Sequence, residues 1–181
     1  MHRSRPWYLF NTVSPDPNLV KTQQRNADIS IRTVPLRRTR RIVTLDDYWM
    51  GRDVGYADEL TETIARNAAV TVARVNHLLD AMAADGVHAE CKAGTASPVA
   101  SGWRPVEINA RVPAAVPDSP HICGAACDLY DPRSALDDWC LEHLTVLAEL
   151  DLWLEHPEYT EGWCHVQIVA PRCGSRVFRP W

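Results

Sequence analysis

Residues 119–129 read SPHICGAACDL, and this stretch decides the fold. It sets a histidine, two cysteines and an aspartate close together, all of them side chains that bind transition metals. The interval from His121 to Asp128 is too long for one face of a helical turn and too long for a tight chelate loop. It works if the chain bends at Gly124 and then enters a strand. Along AACDL a strand points alternate side chains to opposite faces, so Ala126 and Asp128 share one face and Ala125 and Cys127 the other. A metal on the Asp128 face therefore excludes Cys127, and the small Ala126 leaves room beside it.

A catalytic zinc takes three protein ligands and keeps a fourth position for water. The later segment WCHVQ, residues 163–167, supplies the third. As a strand it puts Trp163, His165 and Gln167 on one face and turns Cys164 and Val166 toward the core. The expected metal ligands are His121, Asp128 and His165, two nitrogens and one oxygen, a set suited to Zn2+. A structural zinc using Cys123 or Cys127 with a histidine stays open, although no paired-cysteine knuckle is present.

Working outward, TLDDYWMG predicts a short helix in which Thr44 and Asp47 form a capping box. Leu60, Ile64, Ala68, Val72, Val75 and Leu79 recur at helical spacing before Gly86, which predicts the longest helix and leaves His77 partly exposed on it. SPVASGWRP predicts a strand leading to a turn, EINARV a weak helix or loop, and GAACDLYDP a short strand. SALDDWCLEHLTVLAEL reads as one amphipathic helix, capped by Ser134, with Leu136, Trp139, Cys140, Leu144 and Leu147 on its buried face. LWLEH and WCHVQIVA predict two strands joined by the loop PEYTEG. The order helix, strand, strand, helix, strand, strand implies an α+β domain with a small, mainly antiparallel sheet flanked by helices and carrying one zinc site.

The chain has 181 residues, 46% of them hydrophobic, with 7 Trp and a net charge of −4. Residues 1–41 carry 9 Lys+Arg against 2 Asp+Glu, and the remainder 10 against 21. Residues 1–41 read as a basic, partly disordered arm, and 42–181 as the folded domain. The arm could attract an anionic polymer such as nucleic acid or cell wall, or be a solvated leader. No nucleic-acid motif accompanies it, so nucleic acid is not expected as a partner. The first residues do not resemble a secretory signal, and no apolar run is long enough for a membrane span. The expectation is a protein made in the cytoplasm that keeps its 6 Cys reduced.

Ser119, His121, Gly124, Ala126 and Asp128 match the pattern S-x-H-x-x-G-x-A-x-D, which resembles the zinc D,D-carboxypeptidases and L-alanyl-D-glutamate peptidases. SGWRP is similar to that family's S-G-Y/F-R segment, and GWCHVQ to its W-x-H element. The likeness runs over roughly residues 44–181, in the family's order, and small phage endolysin-type members look nearest. It implies that His121, Asp128 and His165 bind zinc, and that Arg104 contacts a substrate carboxylate or the scissile carbonyl. Ser119 would touch substrate or support a ligand, or simply cap its loop. The substrate class implied is the peptide part of bacterial peptidoglycan, reached after assisted release of the enzyme. Hedgehog-type relatives imply an alternative, a non-catalytic zinc-containing domain that binds cell wall or protein.

The sequence departs from the pattern at one place. Many relatives carry a Glu three residues before the last zinc histidine, where this chain has Gly162. Peptide hydrolysis still needs a group to take a proton from water and give it to the leaving amine. Glu155 and Glu161 are the candidates. Strand alternation favours Glu155, because a hairpin of the last two strands would bring it beside His165. Glu161 lies in the joining loop. Arg104 suits a carboxylate because its planar guanidinium binds one bidentately, with stacking on Trp103 as its alternative role. Asn109 could assist it, His156 could stabilise an oxyanion, and Trp153 and Trp163 read as core.

Overall fold

The structure, a computed structural model, describes residues 42–113 and 115–180, so the arm expected over 1–41 lies outside the described residues. The chain enters through α1 (Leu45–Trp49), whose capping box is formed as the sequence predicts: Thr44 accepts from the backbone of Asp47 and Asp47 from that of Thr44. A one-turn helix, α2 (Arg52–Gly55), follows. The long helix α3 (Glu62–Ala84) starts at Thr61, whose side chain accepts from Ile64 N. Its buried stripe includes Ala68, Val72, Val75, Leu79 and Met82, the helical spacing that the sequence displays.

Among the described residues five strands form one sheet: β1 (Val99–Ser101), β2 (Ala126–Asp131), β3 (Trp153–Glu155), β4 (Gly162–Gln167) and β5 (Val177–Phe178). Their order is β1-β2-β4-β3-β5, antiparallel except for the parallel β3–β5 pair. The architecture is α+β with a mostly antiparallel sheet, as expected. β5 is the strand that sequence pattern misses, because two residues are too few to show alternation. A short helix, α4 (Val106–Ala110), resolves the EINARV segment as helical.

Alternation divides the sheet into two faces. Cys127, Leu129, Leu154, Cys164 and Val166 are fully buried on one side, in a core shared with α3. Asp128 and His165 lie on the other, directly paired across β2 and β4. The cysteines of the sheet are therefore core residues, and Cys123 is an exposed loop thiol. No helix among the described residues is long and apolar enough to cross a membrane.

The second amphipathic helix needs correcting. It is two helices, α5 (Ala135–Glu142) and α6 (Leu144–Glu149), broken at His143. The His143 ring donates from Nδ1 to Trp139 O at 2.8 Å, occupying the carbonyl that an unbroken ladder would use, and stacks on Trp139 at 4.1 Å. The break rotates Leu144 out of the predicted buried face, to 40% exposed. Ser134 does not cap: its φ is 56° and its side chain makes no cap hydrogen bond. Asp131 does that work, with Oδ2 accepting from Leu136 N and Asp137 N, both at 3.0 Å. Asp131 reaches them because it is the last residue of β2 and faces the core side.

Candidate metal centre

Three elements build the centre. β2 brings Asp128 and β4 brings His165, opposite each other in register. His121 arrives on the turn before β2, which Ala125 N→Pro120 O (2.9 Å) and Gly124 N→His121 O (3.2 Å) close on themselves. Helix α3 pins that turn through Thr71 Oγ1→Gly124 O at 3.0 Å and Asn67 Nδ2→Cys123 O at 2.9 Å. Gly124 has φ 74°, and a Cβ there would lie 2.7 Å from Ile64 O of α3. The bend that the sequence assigns to Gly124 thus demands glycine twice over, for conformation and for helix approach.

The donor atoms converge. His121 Nε2 is 3.2 Å from Asp128 Oδ1 and 3.3 Å from His165 Nδ1, and His165 Nδ1 is 2.7 Å from Asp128 Oδ1. Ligands at about 2.0–2.1 Å around a tetrahedral ion lie roughly 3.3 Å from one another, so these atoms fit one small cation. His121, Asp128 and His165 are all buried, and among the described residues their donor atoms form a group that could hold a metal ion. Burial by itself would raise the Asp128 carboxyl, but the two imidazoles hold it well below the usual carboxylate range. Burial lowers His121, which favours the neutral ring that can donate a lone pair to a metal. For His165 burial acts the same way, yet Asp128 and Glu155 outweigh it and raise the ring.

The outer partners fix each ring. His121 Nδ1 donates to Gly102 O at 2.7 Å, which leaves Nε2 free to face the centre. Gly102 is glycine for a steric reason: an added Cβ would sit 2.0 Å from Tyr48 O. His165 Nε2 faces Gln167 Oε1 at 3.4 Å, while the Gln167 amide donates to Val169 O at 2.5 Å. Gln167 was legible as a residue on the ligand face; the role of the Gly102 carbonyl was not, because a backbone acceptor leaves no residue-type signal.

Glu155 Oε2 lies 3.8 Å from His165 Nε2, with its side chain 17% exposed. Burial, with Asp128 adding, raises its carboxyl above the ordinary value, against the lowering effect of His165 and Arg104. Glu161 is exposed at the head of β4, and no described contact links it to the three ligands. Arg104 is half-buried. Its backbone N donates to His121 O at 3.1 Å, and its Nε is buried without a hydrogen-bond partner. Burial lowers its guanidinium, offset by the nearby charges of Asp128 and Glu155. Ser119 Oγ accepts from His121 N at 3.4 Å, a cap of its own loop. Asn109 is buried and donates to Val116 O at 2.9 Å, and His156 accepts from Glu158 N at 3.3 Å. Trp163, expected in the core, is 39% exposed on the ligand face.

No family model matches this chain, and neither a curated protein nor a solved structure matches it.

Proposed function

We propose that this protein is a zinc-dependent peptidase that hydrolyses peptide stems or cross-bridges of bacterial peptidoglycan, a lysis enzyme of phage type. The convergence of His121 Nε2, Asp128 Oδ1 and His165 Nδ1 within 3.3 Å carries the reading, together with a carboxylate of raised pKa beside it. The likeness of SPHICGAACD to the S-x-H-x-x-G-x-A-x-D pattern supports the substrate class. Two imidazoles and one carboxylate fit zinc better than calcium or magnesium, which take all-oxygen shells.

A zinc ion held by His121, Asp128 and His165 would supply Lewis-acid polarisation of a water and of the scissile carbonyl. The rest is the work of this chain. Glu155 takes a proton from the attacking water as the oxygen bonds to the carbonyl carbon. It returns that proton to the amine as the C–N bond breaks, so one carboxyl serves as base and then acid. A raised pKa suits this double task, because the protonated form must also be reachable. Arg104 orients the substrate through a carboxylate or carbonyl oxygen.

The test combines zinc analysis with turbidity of purified cell walls. The wild-type chain should clear walls, lose that activity to a chelator and regain it with Zn2+, while His121→Ala should neither hold zinc nor clear walls. Full clearing by metal-free His121→Ala would overturn the reading. Zinc retention without any clearing would assign the fold to a binding role instead. Mass spectrometry of the released fragments identifies the bond cut.

A further inference from the structure

Arg52 has no part in the reaction above, and its placement asks for one. It is the first residue of α2 and is half-buried. Two successive left-handed residues, Met50 (φ 56°) and Gly51 (φ 74°), swing α2 away from α1. A left-handed conformation is uncommon for a methionine and has to be held by its surroundings. Its consequence is that Arg52 Nη1 reaches Trp103 O, at 2.5 Å.

Trp103 is the middle of a three-residue stretch whose two outer residues both hold His121. Gly102 O holds the His121 ring, Trp103 O holds Arg52, and Arg104 N holds His121 O. Arg52 and Arg104 therefore depend from the same short stretch. Neither forms an ion pair with a described carboxylate. Burial first, and then the charge of Arg104, depress the Arg52 guanidinium, with Asp128 acting the other way. Two half-buried guanidiniums whose burial the charge of Asp128 offsets only in part, with no direct ion pair among the described residues, are costly to hold together. An anion arriving from outside relieves both costs, and a planar carboxylate matches their fork geometry.

We propose that Arg52 is a second guanidinium of a carboxylate-binding subsite shared with Arg104, and that it makes the site prefer ligands with a free carboxylate. The preference rests on the peptidase reading only for the identity of the natural ligand, which would be a peptide stem bearing an uncapped carboxylate near the bond to be cut. One donor of Arg52 is spent on Trp103 O, and no other hydrogen bond of its guanidinium to a described residue competes with a ligand.

The test uses the full chain loaded with Zn2+ and two small probes, N-acetyl-D-alanine and N-acetyl-D-alaninamide, with binding read by calorimetry and without turnover. The wild type should bind the acid about tenfold or more tightly than the amide, the factor expected of a hydrogen bond to a charged partner. Arg52→Gln should remove most of that acid preference, leave amide binding and zinc content unchanged, and be partly rescued by Arg52→Lys. An unchanged acid-to-amide ratio in Arg52→Gln overturns the proposal, as does an equal loss of both probes, the mark of a mere brace. If Arg52→Gln does not fold, the same ratio is read in Arg52→Lys, and a ratio equal to wild type overturns it there. Acid preference that depends on Arg52 in a protein that clears no cell wall would sink the peptidase reading and leave the subsite standing. Wall clearing with a ratio indifferent to Arg52 would do the reverse.

Discussion

Glu155 and Asp137 are two carboxyls raised by burial, and their surroundings give them different consequences. Glu155 sits at the edge of the metal centre, 3.8 Å from His165 Nε2, where a movable proton is useful. Glu155→Gln keeps the shape and removes the base, so kcat on wall peptides should fall about 10²–10⁴-fold while zinc content stays at wild-type level. Activity surviving in that variant and vanishing in Glu161→Gln would transfer the role to Glu161. Asp137 is 1% exposed, its Oδ1 has no partner, and burial pushes it up to about 7. A carboxyl whose folded pKa lies above its unfolded value adds stability below about pH 4 that is lost as pH rises through about 7. Asp137→Asn should therefore unfold at higher denaturant than wild type at pH 8, by roughly 2–4 kcal/mol, with the difference closing near pH 4. A pH-independent difference would locate the effect elsewhere. Neither burial is readable from sequence, since Asp137 and Asp138 differ there only by position on a helix.

At the scale of elements, the legible parts were those with a long period or a local chemical signature. The stripe of α3 repeats over many turns, and the Thr44–Asp47 capping box lies within four residues. The α5–α6 region misled because its apolar spacing runs through His143 unbroken, while the break comes from a side chain bonding its own helix. Ser134 looked like a cap because serine before two acidic residues commonly is one. The acceptor is instead Asp131, which needs β2 to end where it does. Asp131→Ala should cost about 1–2 kcal/mol in chemical unfolding, whereas Ser134→Ala should cost nearly nothing and Ser134→Gly, at φ 56°, should stabilise by some 0.5–1 kcal/mol. A larger loss from Ser134→Ala than from Asp131→Ala would restore the serine as the cap.

For the whole molecule, the metal centre joins the turn at His121, two central strands and, through Gly102 and Thr71, the segments on either side. Metal binding should consequently stabilise the entire fold, by about 2.7 kcal/mol when free Zn2+ is a hundredfold above its Kd. Chelation should lower Tm in one cooperative step, and a melting curve insensitive to chelator would contradict this. Protons compete with the metal for the imidazoles, and His165 is raised above the ordinary histidine value, so its share of that competition begins at a higher pH than for a free imidazole. Zinc content after dialysis should fall as the buffer is taken from pH 7.5 to pH 5. The sequence alone determined the α+β class, the grouping of His121, Asp128 and His165 that could hold a metal ion, and which cysteines stand aside, because alternation along a strand and the bend at Gly124 are local matters of backbone geometry. Only the tertiary structure decided which carboxyls are raised, which residue caps α5, that Gly102 O orients His121 and that Arg52 bonds the carbonyl of Trp103, the residue before Arg104. Those depend on burial and on contacts between distant segments, where desolvation and the partner's identity set the energy.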